Sequence, residues 1–387
     1  MVQLGNTVKT RSSCFLTDLG IVSALGLGAE ETYARMMAGD TSGLRPVQAN
    51  PSGETTCFGF APEAAVSKEA VSAAGTRIGA LLDAVMLQLA PALDKLRADI
   101  PASRIGIVVG TSNSTMEEFT DNPDHIDMAY PSERLQSRLG VKGPAWTVST
   151  ACSSSAKVFG SARRLLADDV CDAVIVGGAD AFTRTVIGGF GGLEALAAGP
   201  THPLAVDRGG LSLGEGAALF VMKREHDGES GVALLGVGES SDAWHITSPD
   251  PEGRGAEAAM RAALADASLA PSDIDYVNLH GTGTTYNDDM ECAAVCRLFG
   301  SCVPCSSTKA MTGHCLGAAG ALEAALCYLA MRKGVGVPPH AVSSVDTALA
   351  PFPVPFPGNS VSARTVLSNS FAFGGSNASL VLGLREE

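Results

Sequence analysis

One of the chain's ten cysteines, Cys152, stands in the run WTVSTACSSSAK (146–157), among residues too small to fill a core. Strand-like Trp146–Ser149 precedes it. After it Ser155, Val158, Phe159, Ala162, Leu165 and Leu166 recur at helical spacing. A thiol at such a junction faces free backbone N–H groups and the positive end of a helix, which lower its pKa and favour the nucleophilic thiolate. Ala151, Ser153, Ser154 and Ser155 leave room for a substrate at the sulfur. Inert burial is the alternative for any single cysteine. Two histidines add weight to the chemical reading. His280 ends the run IDYVNL and is followed by Gly-Thr-Gly-Thr, and His314 closes KAMTGH just ahead of a helix. A helix N-terminus would hold His314 neutral and able to donate a hydrogen bond. Cys302-x-x-Cys305 lacks the second pair, or the spaced histidines, that a zinc site needs, so no metal is expected.

The elements that must position these residues alternate between strand and helix. IGIVVG (105–110) and AVIVGG (173–178) are short apolar runs of the buried-strand kind. LGEGAALFVMK (213–223) is glycine-rich and then strand-like. An alanine-rich helix is expected over 255–267, and another where Leu322, Ala325, Leu326, Leu329 and Ala330 share a face. Residues 365–370 and 378–383 read as strands flanking a glycine-rich turn. AVIVGGAD…GEGAALFVM and TVLSNSFAFGGSNASLVLG look like two copies of one pattern. They suggest two α/β units, each a mainly parallel sheet covered by helices. PFPVPFP (351–357) reads as a rigid surface loop.

Composition narrows the function classes. Apolar residues make up 45 % and charged residues 18 %, a globular balance, and 387 residues can bury a large core. The net charge of −14 argues against non-specific nucleic-acid binding, which needs a basic face. The N-terminus has no signal-peptide pattern and no apolar run reaches about 18 residues, so no membrane span is expected and a cytoplasmic location is.

Four blocks together resemble the β-ketoacyl-acyl carrier protein synthases, the condensing enzymes of fatty-acid and polyketide synthesis: TACSSSA (150–156), NLHGTGTTYNDDME (278–291), SSTKAMTGHCLGAAGALEA (306–324) and SNSFAFGGSNASLVL (368–382). Weaker matches, DLGIVSALGLGAEETYARMMAG (18–39) and GGLSLGEGAALFVMKRE (209–225), extend the resemblance over nearly the whole chain. It implies a thiolase-like α/β fold of two duplicated halves, 1–230 with the nucleophile and 231–387 with both histidines, in a layered αβαβα architecture. It also implies a decarboxylative Claisen condensation between an acyl group on Cys152 and malonyl-acyl carrier protein. His280 and His314 would donate to the extender thioester oxygen, and the N–H groups of Cys152 and Phe373 would bind the tetrahedral oxyanion. Lys309 and Glu323 match a pair that orders the site, Lys309 helping to keep nearby His314 neutral. Thr282 and Thr284 match positions that bond the phosphopantetheine arm, and Phe373 matches a gate, with Phe371 and Ala372 beside it. No cofactor is implied beyond the phosphopantetheine that carries the substrates. The implied partners are an acyl carrier protein and a second subunit, identical or a sister ketosynthase-like chain.

The chain departs from the family pattern at Ala372 and Asp18, where glycine is usual, and in the shorter stretch 111–142. The Ala372 methyl is expected to restrict the gate backbone. The trimmed stretch resembles condensing enzymes of specialised pathways such as aryl polyene synthesis. The alternative reading is a non-catalytic chain-length-factor-like subunit, which would lack the nucleophile. A thiolase would carry a second cysteine in the SFAFGGSNAS block. For an acidic carrier protein, Arg134, Arg138, Lys142, Arg163 and Arg164 are the basic residues nearest the nucleophile block in sequence.

Overall fold

Short apolar runs ending in glycine become buried strands, as IGIVVG does. The structure, a computed structural model, describes residues 14–49, 54–116, 126–226, 230–334, 336–359 and 361–386. Its strands are β1 (Cys14–Ser23), β2 (Gly26–Leu27), β3 (Leu44–Gln48), β4 (Thr55–Gly59), β5 (Ile105–Gly110), β6 (Ala145–Val148), β7 (Ala173–Asp180), β8 (Leu213–Gly214), β9 (Gly216–Lys223), β10 (Ser230–Ser241), β11 (Tyr276–Asn278), β12 (Cys305–Ser306), β13 (Thr365–Ala372) and β14 (Ser376–Glu386). Its helices are α1 (Ala29–Met37), α2 (Glu63–Val66), α3 (Lys68–Ala74), α4 (Arg77–Asp99), α5 (Tyr130–Leu139), α6 (Ser154–Ala167), α7 (Arg184–Gly192), α8 (Arg254–Ala267), α9 (Thr285–Phe299), α10 (Lys309–Thr312) and α11 (Ala319–Arg332).

The duplication is visible in the strand order. From one edge inward the first half runs β6-β5-β7-β9-β1, and from the other edge the second runs β12-β11-β13-β14-β10. In each half the two outer pairings are parallel and the two inner ones antiparallel. The halves meet at the antiparallel pair β1·β10. The expectation of mainly parallel sheets is therefore corrected: each half is evenly mixed. The physical reason is connection length. Only the three-residue turn Phe373–Gly375 joins β13 to β14, and a parallel pairing needs a crossover of a dozen residues or more.

Helices α4 and α5 lie against the first half-sheet, and α8 against β10, β13 and β14 of the second. Between the halves run α6 and α11, which touch each other and strands of both, completing five layers. This explains the sequence of α11. Every residue from Ala319 to Met331 is buried, so the helix is apolar on all sides, as a core helix must be. Burying a side chain such as Leu322 or Leu326 stabilises the fold by about 1.5–3 kcal/mol. Gly320 permits the helices to approach, since a Cβ there would lie 2.7 Å from the Ala156 nitrogen. Ser155 Oγ then accepts the Ala321 N–H at 2.9 Å, pinning the start of α11 to the start of α6.

PFPVPFP is a loop with Pro351, Pro353 and Pro357 exposed, as expected, but it is also anchored to the core. Phe352 and Pro355 are buried, and the Pro353 and Pro355 carbonyls accept the N–H groups of Cys305 and His340. A proline run keeps its carbonyls, so it can cap a strand edge from the acceptor side alone. Among the described residues no single helix is long and apolar enough to cross a membrane.

Candidate active site

Between β6 and α6 the chain reverses at Ala151, whose φ of 52° is left-handed. This turn puts Cys152 two residues ahead of the helix. The serines around it brace the turn: Ser154 Oγ accepts the Thr150 N–H at 2.9 Å, and Ser153 Oγ donates to the Thr150 carbonyl at 2.8 Å. Ser153, Ser154 and Ser155 are fully buried and none lines the cavity described below. Their small size thus serves the backbone turn, and the expected clearance for substrate is not their role.

The Cys152 sulfur lies 3.0 Å from His314 Nε2. The backbone N–H groups of Phe373 and of Cys152 itself also point at it. Burial nevertheless pushes the thiol up to about 12, against the lowering by Lys309 and these N–H groups. The expected net lowering by the helix end is corrected: the desolvation cost of a buried thiolate outweighs the dipole at this depth. The resting group is a thiol, within hydrogen-bond reach of His314 Nε2.

His280 and His314 come together although 34 residues separate them in sequence, with ring centroids 5.1 Å apart and planes at 84°. Both are held well below the ordinary imidazole value, first by burial and then by Lys309. Both are thus neutral, as expected, but for His314 the cause is desolvation where a helix terminus was expected. Lys309, 1 % exposed, places its three protons on the Glu323 carboxylate at 2.5 Å, the His280 carbonyl, and His280 Nδ1 at 3.4 Å. Lys309 thus hydrogen-bonds His280, while its charge also lowers its sequence neighbour His314, as expected. Because His280 Nδ1 accepts, its Nε2 carries the hydrogen. His314 Nδ1 meets no protein partner, so the tautomer that leaves no buried N–H unpaired also carries hydrogen on Nε2. Two neutral Nε2–H donors then serve one space beside a thiol.

That space is a cavity of about 270 Å³, lined among others by Cys152, His280, His314, Thr282, Thr284, Phe371, Ala372 and Phe373. Thr282 and Thr284 share a hydrogen bond of 2.9 Å between their hydroxyls. The Phe373 ring stacks on Phe190 at 5.5 Å. Ala372 is extended (φ −113°, ψ 154°), a conformation any L-residue adopts, so its methyl imposes no strain. The left-handed residues of the gate turn are Gly374 and Gly375 (φ 79° and 73°).

Several supporting residues were not singled out in the sequence, although some lie in the motif that was quoted. Glu291 accepts the His280 and Gly281 N–H groups, both at 2.8 Å, and Asp288 accepts that of Gly283 at 3.2 Å. Their spacing after His280, with one helical turn between them, was the available signal. Glu291 is raised to about 7 by burial, opposed by those same N–H groups. Asn377 lies in the quoted block 368–382 but was not singled out, and Phe190 and Asp242 had no motif to mark them. The expected basic patch is not at the cavity: none of its five residues lines it. Arg134 and Arg138 share Asp83, and Arg163 is buried against Asp266.

The chain matches the family model for the β-ketoacyl synthase N-terminal domain over residues 84–228 and that for the C-terminal domain over 232–343. It is 32 % identical to 3-oxoacyl-[acyl-carrier-protein] synthase 2 of Coxiella burnetii, covering 95 % of this chain and 97 % of that one. Nodulation protein E of a Rhizobium species (strain N33) is 40 % identical over 67 % of each chain. Among solved structures, a ketosynthase, ApeO, in complex with its chain length factor, ApeC, from Xenorhabdus doucetiae superposes with a TM-score of 0.86 at 38 % identity, covering 97 % of this chain and 98 % of that one.

Proposed function

Because this chain belongs to the β-ketoacyl synthase family of condensing acyltransferases, we propose that Cys152, His280 and His314 carry out its condensation as follows. The Cys152 thiol, its sulfur held by the His314 Nε2–H, attacks the acyl thioester delivered on a carrier protein, and its proton ends on the departing pantetheine sulfur. The tetrahedral oxyanion is held by the N–H groups of Cys152 and Phe373. The freed pantetheine leaves, and a malonyl thioester enters past Thr282 and Thr284. Loss of CO₂ places its electron pair on the extender as an enolate, whose oxygen accepts the Nε2–H of both histidines. One such donor is worth about 10²–10³ in rate. The enolate carbon then bonds to the acyl carbonyl carbon, the bond to Cys152 breaks, and the departing thiolate takes one proton from water to restore the thiol. Lys309 and Glu323 act through His280, which they orient.

The observation that carries this reading is the 3.0 Å approach of His314 Nε2 to the Cys152 sulfur, with His280 stacked edge-on beside it. The acyl chains are of the fatty-acid or polyketide class, and the shorter stretch 111–142, whose residues 117–125 lie outside the described ones, favours a specialised polyketide such as an aryl polyene. The partners are an acyl carrier protein and a second subunit, identical or a sister chain, in the cytoplasm. Support for the second subunit comes from β6, an edge strand that among the described residues pairs only with β5 and so is open to pairing.

Intact-mass measurement after incubation with acyl-loaded carrier protein tests the proposal. The expected result is one acyl adduct, on Cys152, absent from Cys152→Ala. A Cys152→Ala variant that condenses at the wild-type rate refutes it, and a wild-type chain that takes no acyl group favours the non-catalytic subunit.

A further inference from the structure

Among the described residues seven large apolar side chains are exposed; two of them line the Cys152 cavity and two more stand on a segment that lines it. Leu193 and Tyr286 line it and are 52 % and 74 % exposed. Trp244 and Ile246, 54 % and 74 % exposed, stand on the segment whose Asp242, Thr247, Ser248 and Pro249 also line it. They are held in place there: the Ile246 carbonyl accepts the Gly374 N–H at 2.7 Å, and the Asp242 N–H donates to the Gly375 carbonyl at 2.9 Å. Single exposed apolar residues are ordinary, but a cluster of a few hundred Å² around a functional opening marks a surface that another molecule covers.

The charges around this mouth do not suit an acidic partner. Glu194, exposed, is part of the lining. Arg208, next to the lining Gly209, is bound to Asp289 and Asp346. The basic residues of α5 and α6 do not reach the opening. Cys152 is only 6 % exposed, so a thioester reaches it on an arm, and the body that bears the arm comes to rest on the rim.

We infer that the rim of Leu193, Trp244, Ile246 and Tyr286 is the docking surface for the thioester-bearing carrier protein, which it recognises through an apolar helix face and not through a basic patch. This rests on the condensing function proposed above. Apolar docking contributes to the Michaelis constant of a carrier-borne substrate only, and salt screens it little.

The test compares Cys152 acylation, read by intact mass, from acyl-carrier protein and from the same acyl group on free pantetheine, in the wild type and in the double variant Trp244→Ser/Ile246→Ser. The expected result is a loss of about tenfold or more in kcat/KM for the carrier-borne substrate, carried by KM, with the free thioester unaffected, for a docking contribution of about 1.4 kcal/mol. Raising salt from about 0.05 to 0.5 M should change the wild-type carrier reaction less than about twofold, since the Debye length falls several-fold over that range. Equal losses with both donors overturn the inference, because they place the two residues in the pocket or gate. An unaffected carrier reaction with steep salt dependence overturns it in favour of a basic surface. Loss of self-association in the variant, measured by sedimentation, with carrier kinetics unchanged assigns the rim to a second copy of the chain. A wild type that takes no acyl group from either donor fails the condensing function itself, and the inference with it.

Discussion

The buried pair Lys309–Glu323 allows stability and catalysis to be separated. Lys309 and Glu323 are 1 % and 3 % exposed. Lys309→Met leaves a buried carboxylate, the His280 carbonyl and His280 Nδ1 without their donor. Breaking a buried pair from one side costs about 3–5 kcal/mol. With an unfolding entropy of about 2.1 cal/mol/K per residue, that lowers Tm by roughly 4–6 °C for a chain of this size. Glu323→Gln should cost a similar amount by stranding the ammonium. The double variant Lys309→Met/Glu323→Leu replaces both charges with apolar groups of similar volume, and such a replacement is close to neutral. Its Tm should return to within about 2 °C of the wild type. Catalysis should not return with it, because nothing then fixes the hydrogen of His280 on Nε2. Malonyl decarboxylation should fall about 10²–10³-fold, the worth of one oxyanion donor, while acylation of Cys152, which relies on His314, stays within about tenfold of the wild type, a difference under 1.4 kcal/mol. Thermal unfolding, CO₂ release and intact mass read the three quantities. A double variant as unstable as the single ones, or one that decarboxylates at the wild-type rate, refutes the reasoning.

The gate turn gives a contrast between neighbours. In Gly374→Ala the new Cβ meets nothing within 4 Å, so the cost is only that of the left-handed backbone, about 1–2 kcal/mol. Gly375→Ala sets a Cβ 2.8 Å from that of Asp242, and should both lower Tm further and slow Cys152 acylation by displacing the Phe373 N–H. Ala372→Gly should leave acylation unchanged and lose stability by about 0.5–1 kcal/mol through the freer unfolded chain. Acid should unfold the protein through its buried histidines. His340, whose Nε2 faces the Pro203 carbonyl and Nδ1 the Ser307 N–H, is lowered by burial from 6.5 to about 4. Below pH 6.5 the unfolded chain binds a proton that the native chain refuses, so stability is complete above that pH and falls by about 3 kcal/mol as pH drops toward 4. His280 and His314 add to the loss in the same direction. Glu291, raised to about 7, binds a proton first in the native chain and opposes this loss, so the check is the difference between the wild type and His340→Asn: a gap in denaturant midpoint that stays constant between pH 7 and 4.5 would exclude it.

Much of this molecule follows from local pattern. IGIVVG and AVIVGG are apolar at every position and became strands buried on both faces. The alanine-rich helix over 255–267 and the two strands beside the last glycine-rich turn also form where expected. Strand direction does not follow from such pattern, because an apolar run looks the same in either orientation, and only the short turn before Ser376 settles the antiparallel pairing. The types of the reacting groups, a thiol between small residues and two histidines beside glycine, were equally legible, because backbone crowding at each point allows few alternatives.

What tertiary structure alone decided is who meets whom and at what cost in solvation. Lys309 lies five residues from His314 in sequence yet hydrogen-bonds His280, because α10 folds back beneath the HGTGT turn. The Cys152 thiol, which local reasoning would lower, is raised because two half-sheets and a central helix pair remove it from water. Arg163, a surface cation by its type, is buried against Asp266, and the apolar rim gathers residues from three separate segments of the chain. Desolvation and long-range charge depend on every atom packed around a group, and no stretch of sequence carries that sum.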